Sequence, residues 1–481
     1  MRGLALKIGS LRRGLAGVVV ATTLIAGVPS AARAMTLFEA VQFALEANPD
    51  IGQAIANREA IEFELKQAKG LWLPQVDLEA RFGAQDYESP NLAQIGGVGG
   101  TLPRREANIV MQQLLFDGFN RRGEVEKQAA RVDGASNRVY ERSEFIALAI
   151  VREYLEIGRL FEVVELNEDN VAYHRTTVGQ LAEAGEEGAL AVTDKQQAEE
   201  RVYAAEARLI AARRDLNAAR IRFNQLVGKP FDDYVTPPSV THYLPPSLDD
   251  AVGVARQNSP LVKVAQADLD AVYGLKKQAS SGFYPKIGIE LRGRVGDDLE
   301  GIEGQVTDLR AEIVARWNLY RGGIDVANLQ EQIRRIDEAR YALDKAFRDI
   351  QEAVGLAWDT RIQEQQRLVK LKQQLASTRQ LVEAYTEQFK VGERSLLDLL
   401  DTQNTRLNSE IEVVTARYSV WFADYRVLAA EGRLLYSLNI VPPTQSVPYA
   451  RDLVKSPGAL EGDTQKRMSV PFAPDFTPGV D

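Results

Sequence analysis

The sequence predicts a mainly α protein with a small β part, built from two repeats of one plan. Three observations predict this fold class. Apolar residues follow a helical period over stretches far longer than an ordinary globular helix, four short segments alternate apolar and polar residues, and the same residues recur at fixed spacings. The 481 residues include no cysteine and two histidines, so no disulfide, metal site or other cofactor is expected. The formal net charge of −9 argues against nucleic acid as a partner.

Residues 1–34 have the composition of a secretory signal peptide. Four basic residues open the segment: Arg2, Lys7, Arg12 and Arg13. An uncharged apolar run from Leu15 to Val28 follows, and Ala32-Arg33-Ala34 fits the small-residue cleavage pattern. A membrane anchor helix is the alternative, but the run is short for a span of about 20 residues. We therefore expect an exported protein whose mature chain starts near Met35.

The rest of the chain divides into two repeats, residues 35–228 and 248–440. An offset of 211 residues carries Leu37–Val41 onto Leu248–Val252, and an offset of 204 residues carries Leu115–Gly118 onto Leu319–Gly322. Two long ungapped registers with shared Pro and Gly indicate an internal duplication. Residues 229–247 contain five prolines and are predicted to be a semi-extended linker. The tail, residues 441–481, is predicted to be mostly irregular.

Each repeat is predicted to contain very long helices. From Ile324 to Phe389, apolar residues recur at steps of three, four and seven with no proline, which is typical of a coiled-coil seam in a helix about 100 Å long. Its predicted partner is the matching pattern from Leu396 to Leu438. Arg361 and Glu364 occupy seam positions, and packing is predicted to loosen there.

Four segments near 75–88, 106–117, 286–296 and 308–320 alternate apolar and polar residues. A water-soluble sheet could show this alternation, but the export signal and the strand length favour a membrane barrel with Trp317 on a lipid-facing strand. Open edges are not tolerated in lipid, and four strands cannot enclose a pore, so several chains must combine. Three chains would give twelve strands, although closure alone leaves two or four chains open.

With this architecture the chain resembles the TolC family of outer-membrane channels, from about Leu37 to Ile440. The resemblance is carried by the duplicated plan, by Leu115-Phe116-Asp117-Gly118 and by Gly392-x-x-Ser395-Leu396-Leu397-Asp398. It implies an internally duplicated TolC-like fold. A homotrimer would form a 12-stranded β-barrel, with four strands per protomer, in the Gram-negative outer membrane, and a long α-helical barrel in the periplasm.

The resemblance also implies partners and a mode of action. Transport is passive, without enzyme activity, and outer-membrane lipid surrounds the barrel. A periplasmic adaptor (membrane fusion) protein connects the channel to an inner-membrane transporter. The stretch from Arg104 to Phe119 is similar to outer-membrane components of type I secretion systems, some of which export large adhesins, so the implied transporter is an ABC transporter. The alternative is multidrug or small-molecule efflux with an RND pump.

A gate at the periplasmic mouth is implied as well. Its residues by family match are Asp398, Asp401, Arg394, Thr193, Asp194 and Phe389. The two aspartates Asp398 and Asp401 would form carboxylate rings in the pore, and Arg394 would reach toward Thr193 on the neighbouring hairpin. The family has a tyrosine that bonds to the aspartate matching Asp194, but Phe389 stands at its place, so one latch is missing or rebuilt. From the residues alone, an aspartate after a turn is more often a helix cap.

The turns between the long helices are the implied docking tips for the adaptor. Their residues are Gly392, Ser395, Leu396, Gly185, Gly188, Ala189 and Leu190. Glycine permits a tight helix reversal, and the small and apolar neighbours offer a surface for an adaptor hairpin. The alternative is that these residues only make turns.

Overall fold

The computed structural model describes residues 35–455 except 92, 93, 95, 187–191 and 232, and it leaves out the side chains of 181–186, 192 and 194. The predicted signal peptide and the last part of the predicted tail therefore lie outside the described residues. Long helices dominate the molecule, and one antiparallel sheet is attached to them, which confirms the predicted fold class. None of the described helices combines the length and the apolar composition that crossing a bilayer requires.

The first repeat follows a helix–strand–strand–helix plan. Its elements are α1 (Leu37–Ala47), α2 (Pro49–Gly70), β1 (Gln75–Tyr87), β2 (Gly100–Phe116), α3 (Asn120–Glu186) and α4 (Val192–Val227). Helix α1 starts at a capping box, since the Thr36 hydroxyl accepts the amide of Glu39 and the Glu39 carboxylate accepts the amide of Thr36. Asn48 ends α1 and caps α2, whose first residue is Pro49, so the Asn-Pro pair separates the two helices.

The second repeat reproduces this plan at the predicted offsets. Its elements are α5 (Leu248–Asn258), α6 (Pro260–Ser280), β3 (Lys286–Leu299), β4 (Ile302–Arg316), α7 (Ile324–Lys390) and α8 (Leu396–Ala430), followed by α9 (Leu434–Ser437) and α10 (Ala450–Val454). Helices α3 and α7 are each 67 residues long, and both their starts and their ends are 204 residues apart. An ion pair also recurs at this offset: Arg175–Glu206 joins α3 to α4 at 2.6 Å, and Arg379–Glu410 joins α7 to α8 at 2.9 Å. These equivalences confirm the duplication.

The sheet has the order β1-β2-β3-β4, and all its pairs are antiparallel. Strand β2 begins six residues before the predicted segment, and β4 begins at Ile302 and ends at Arg316, which leaves Trp317 one residue beyond it. The residues at the beginnings of β2 and β4, before the predicted segments, do not continue the apolar and polar alternation of those segments. Only their pairing with the neighbouring strands shows that they belong to the sheet. This is why a pattern-based prediction placed them in loops.

The proline-rich linker is held by tyrosines. The Tyr154 hydroxyl lies 2.8 Å from the carbonyl oxygen of Val235 and 3.0 Å from that of Met35. The Tyr425 hydroxyl donates to the carbonyl of Pro238 at 2.8 Å. The ring of Tyr234 packs against α3, so this segment is anchored to the helices rather than serving only as a spacer.

The tail contains a short docked helix that the sequence analysis did not anticipate. The Asp133 carboxylate on α3 accepts the backbone amides of Tyr449 and Ala450 at 2.8 Å and that of Arg451 at 3.1 Å. The Arg451 side chain also bonds to Asp133 and to Asp270 on α6. Helix α10 is therefore fixed by a carboxylate more than 300 positions earlier, a contact that no local pattern reports.

Packing at the seam of α7 and α8 differs from the prediction at Arg361. This side chain does not loosen the seam, because its guanidinium donates to the Asp424 carboxylate of α8 at 2.7 Å and both groups are largely buried. Burial raises the pKa of Asp424, while the bond to Arg361 opposes that shift. The prediction was wrong for Arg361 because the opposing helix supplies a buried counter-charge.

Candidate gate and docking tips

The turn between α7 and α8 is compact and well capped. Gly392 adopts a φ of +80°, and its amide donates to the carbonyl of Phe389 at 3.0 Å. Ser395 caps α8, since its hydroxyl accepts the amide of Asp398 at 3.2 Å and donates to the Asp398 carboxylate at 2.8 Å. Asp398 thus serves as a partner of the helix cap, and whether it also faces the pore stays a prediction. Leu396 turns inward and is buried.

The turn between α3 and α4 is only partly described. Gly185 lies in the last turn of α3, and Thr193 is exposed in the first turn of α4. The predicted tip residues Gly188, Ala189 and Leu190 lie outside the described residues, as does the side chain of Asp194.

Arg394 binds within its own hairpin. Its guanidinium donates to the Gln388 side chain at 3.0 Å, stands 4.4 Å from the centre of the Tyr385 ring and lies 4.0 Å from the Asp398 carboxylate. Within the described part of the chain, the structure brings Arg394 to these three residues and not to Thr193. A contact with Thr193 of a neighbouring protomer stays a prediction.

Two polar contacts connect the α3–α4 hairpin to the α7–α8 hairpin near their tips. Arg201 on α4 donates to the Asp401 carboxylate on α8 at 2.9 Å, and Arg208 donates to the side-chain oxygen of Asn404. We call these four residues the inter-hairpin latch. Of these four residues only Asp401 was predicted from the sequence, whereas Arg201, Arg208 and Asn404 were not. Arg201 and Arg208 are seven residues apart and so lie on one face of α4, which is the feature of the sequence that could have indicated a shared contact surface.

An apolar contact between the hairpins lies beside the latch. Phe389 packs against a cluster of buried residues, Ala198, Leu396 and Leu400, together with Val178. We call these five residues the tip cluster. A tyrosine at position 389 would bring a hydroxyl to this region, whereas the phenylalanine contributes only apolar surface. The two hairpins are therefore joined by packing at Phe389, the position where the resemblance led us to expect a missing or rebuilt latch.

A buried histidine lies close to the latch. His174 on α3 is largely buried, and burial lowers its pKa, with a further contribution from the positive charges of Arg201 and Arg208. The neutral imidazole is thus the favoured form, so His174 adds no positive charge beside Arg201 and Arg208.

The sheet presents one polar and one apolar face. A row across the four strands in register reads Glu79, Asn108, Arg294 and Asp308, and the adjacent row reads Leu78, Ile109, Gly293 and Leu309. Leu78, Ile109 and Leu309 are all exposed within the single chain. A sheet with this pattern suits a barrel whose outer surface meets lipid and whose inner wall is wet.

Comparison with known proteins agrees with this architecture. A model of the outer membrane efflux protein family matches residues 40–229 and 251–432, which coincide with the two repeats. The chain is 24% identical over 420 residues to the outer membrane efflux protein BepC of Brucella suis biovar 1 (strain 1330), covering 87% of this chain and 90% of BepC. It is 20% identical over 428 residues to the outer membrane protein TolC of Escherichia coli (strain K12), covering 85% of each.

A solved structure gives the same result for the fold. A membrane protein from Pseudomonas aeruginosa superposes with a TM-score of 0.73 at 15% identity, covering 82% of this chain and 90% of that one. The family match spans most of the chain and both repeats. The chain therefore belongs to the outer membrane efflux protein family, the TolC-type channels of the Gram-negative outer membrane, which are passive ducts and not enzymes.

Proposed function

We propose that this chain is the outer-membrane exit duct of a tripartite export system and that the inter-hairpin latch holds its periplasmic mouth closed. Channels of this family are homotrimers that work with periplasmic adaptors and inner-membrane transporters. The observation that carries the proposal is the position of the latch, which joins the two helical hairpins close to their free ends, beside the tip cluster. Separating the hairpins there would widen the mouth.

The energetics of the latch suit a gate that a partner opens. Arg201 and Asp401 are both partly exposed, and an ion pair of this kind contributes only about 0.2–1 kcal/mol. The apolar tip cluster adds the burial of Leu396 and Leu400. A closed state held by such modest contacts yields to the binding energy of an adaptor without unfolding of the hairpins.

The adaptor would dock at the hairpin ends. Val391 and Leu397 are exposed apolar residues beside Gly392 and Ser395, so this turn offers a small apolar surface for an adaptor helix. Three copies of Asp398 would surround the mouth with carboxylates and favour cations there. Asp401 would add to them when Arg201 releases it.

For the cargo, we propose type I secretion of a protein with an ABC transporter, on the similarity of Arg104–Phe119 to channels of that kind. A second candidate, small-molecule efflux with an RND pump, is favoured by the name of the family and by that of BepC, both of which are called efflux proteins. A strain that lacks the gene separates the two. Loss of one exported protein with unchanged drug susceptibility supports secretion, and the reverse supports efflux.

The gate is tested by single-channel conductance of the purified trimer in planar bilayers. We expect Arg201→Gln to raise the resting conductance, because it removes the bond to Asp401. The matched control is Arg213→Gln, which removes an exposed bond from α4 to Glu168 within the same hairpin, at 2.7 Å, and should leave the conductance unchanged. Equal conductance of Arg201→Gln and the wild type would reject the latch.

The two aspartates and Arg394 are tested in the same assay. We expect Asp398→Ala combined with Asp401→Ala to weaken cation preference. Arg394→Ala tests the family-derived assignment and should raise resting conductance if Arg394 contacts a neighbouring protomer. Unchanged ion selectivity in the double variant would remove both aspartates from the pore.

A further inference from the structure

The polar face of the sheet, which forms the wall of the lumen, carries two arginines directly opposite each other. Arg292 on β3 faces Arg310 on β4 in the strand register. They share the face of the polar row that contains Arg294 and Asp308, because residues two apart on a strand point to the same side. Directly opposed like charges destabilise a strand pair. A pair that breaks a local rule of sheet stability indicates a functional site.

The first repeat shows that the fold does not require this pair. The offset of 211 residues carries Arg292 back to Arg81, and the offset of 204 residues carries Arg310 back to Glu106. Arg81 and Glu106 face each other in the β1–β2 register, so the equivalent position holds charges of opposite sign. One difference in charge, glutamate in β2 and arginine in β4, therefore separates an attractive pair from a repulsive one.

The two guanidiniums stay accessible although each has a carboxylate partner. Arg292 donates to Glu290 at 2.7 Å, and the Arg310 guanidinium lies 2.8 Å from the Asp308 carboxylate. The two arginine side chains are 45% and 58% exposed, whereas those of Glu290 and Asp308 are 12% and 28% exposed. A guanidinium has five N–H donors, which is more than one such contact uses. Both arginines therefore offer free donors to the lumen.

We propose that Arg292 and Arg310 bind carboxylate groups of an acidic segment of the exported protein as it moves along the wall. Opposed residues of an antiparallel pair have Cβ atoms about 5 Å apart, so both guanidiniums can reach one carboxylate and donate charge-assisted hydrogen bonds to it. The flanking rows add Arg294 and Glu312, one charge of each sign, so the preference for anions comes from the pair itself. The inference rests on the proposed function for the class of cargo.

The exposure of the pair suits a transient contact with a moving chain. Contacts between exposed charges are weak, and conduction requires binding that is favourable at entry and weak enough for release. A trimer holds three such pairs at one level of the wall. A segment with several carboxylates can bind more than one pair at once, whereas a small molecule with one carboxylate binds a single pair and gains no avidity.

Binding of an acidic peptide to the purified, detergent-solubilised trimer tests the site. The probe is fluorescently labelled hexaglutamate, followed by fluorescence anisotropy at low ionic strength, where exposed charges are least screened. We expect Arg292→Gln combined with Arg310→Gln to raise the Kd by about tenfold or more, because both donors of the pair are lost.

A second double variant is the matched control. Arg81→Gln combined with Arg316→Gln removes the same number of positive charges from exposed side chains elsewhere on the polar face. It should change the Kd by less than about threefold, because only the general attraction between exposed charges is reduced. Equal losses of affinity in the two double variants, or an unchanged Kd in Arg292→Gln with Arg310→Gln, would overturn the proposal.

Two further measurements complete the design. N-acetylglutamate should displace hexaglutamate only at a far higher concentration of carboxylate, and equal potency per carboxylate would identify small anions as the ligand instead of a protein segment. The melting temperature of Arg292→Gln with Arg310→Gln should not fall, because a repulsion is removed, and a marked fall would contradict the cost assigned to the pair. These results concern the lumen wall alone, whereas loss of drug resistance without loss of an exported protein in the deletion strain would reject the proposed cargo.

Discussion

Substitution of Gly158 by alanine is expected to destabilise the protein, because the new methyl group would displace the Tyr234 ring of the proline-rich linker from the surface of α3. Gly158 lies in α3, and a Cβ atom there would stand 2.2 Å from Cζ and 2.5 Å from Cε2 of Tyr234. These distances are far below an ordinary carbon contact of about 3.5 Å, so the ring must move by more than an ångström. It has little room to do so, because its centre lies 5.2 Å from the Tyr154 ring and 6.4 Å from the Tyr418 ring.

Two opposing terms decide the size of the effect. Replacing glycine by alanine inside a helix stabilises it by about 1 kcal/mol. Overpacking of a filled site costs about 1–3 kcal/mol. We therefore expect Gly158→Ala to lower the free energy of unfolding by up to about 2 kcal/mol. Gly179→Ala is the matched control on the same helix, since a methyl group there meets nothing within 4 Å. It should stabilise the protein by about 0.5–1 kcal/mol.

The assay is thermal unfolding of the detergent-solubilised trimer, followed by intrinsic fluorescence and compared at one scan rate. The melting temperature should fall for Gly158→Ala and rise slightly for Gly179→Ala. In a Tyr234→Ala background the clash is gone, so adding Gly158→Ala should then be neutral or stabilising. Our account of the linker is refuted if Gly158→Ala lowers the melting temperature equally in both backgrounds.

Three further predictions use the same unfolding assay. Asp133→Ala should expose α10 to proteolysis and lower stability by about 2 kcal/mol or more, because three backbone amides, one buried and two partly buried, lose their acceptor; retained protection of the tail would contradict this. Burial raises the pKa of Glu144 from 4.5 to about 7, so the folded protein holds the proton more tightly than the unfolded chain. The stability contributed by protonated Glu144 is therefore fully present below about pH 4.5 and is lost by about pH 7, a fall of about 3 kcal/mol in the free energy of unfolding. Glu144→Gln should therefore flatten the fall in melting temperature between pH 5 and pH 8, and an unchanged pH profile would oppose the assignment. Phe119 has a φ of +71° where its repeat equivalent is Gly323, so Phe119→Gly should be more stable than Phe119→Ala by about 1 kcal/mol, and equal stability would argue against strain there.

Much of the architecture could be predicted because, in both repeats, periodic apolar patterns and residue–proline pairs show where the helices begin and end. The pattern from Ile324 to Phe389 predicted a helix that ends one residue later, at Lys390. Asn48-Pro49 and Ser259-Pro260 each separate two helices, because proline is tolerated in the first turn of a helix but not in its interior. These boundaries could therefore be predicted from the local sequence alone.

The candidate site was predicted less completely, for physical reasons. Arg201 and Arg208 look like ordinary surface arginines until the two hairpins are placed side by side, since only then does Asp401 come within 2.9 Å of one of them. Arg361 looked like a defect in the seam because its partner Asp424 is on another helix. A periodic pattern reports which face of a helix is buried, but it does not report which residue lies opposite.

The difference between the two offsets has a consequence for the outer rim of the channel. The offset drops from 211 to 204 within the hairpins, where residues 88–99 connect β1 to β2 but only residues 300 and 301 connect β3 to β4. The two connections differ by ten residues, of which the second hairpin recovers three as strand residues, so the net difference between the repeats at this tip is seven residues. In a trimer the wall consists of six similar hairpins, yet its rim alternates three long and three short loops. A molecule approaching from outside would therefore meet threefold symmetry, while cargo moving along the wall would meet an approximately sixfold surface.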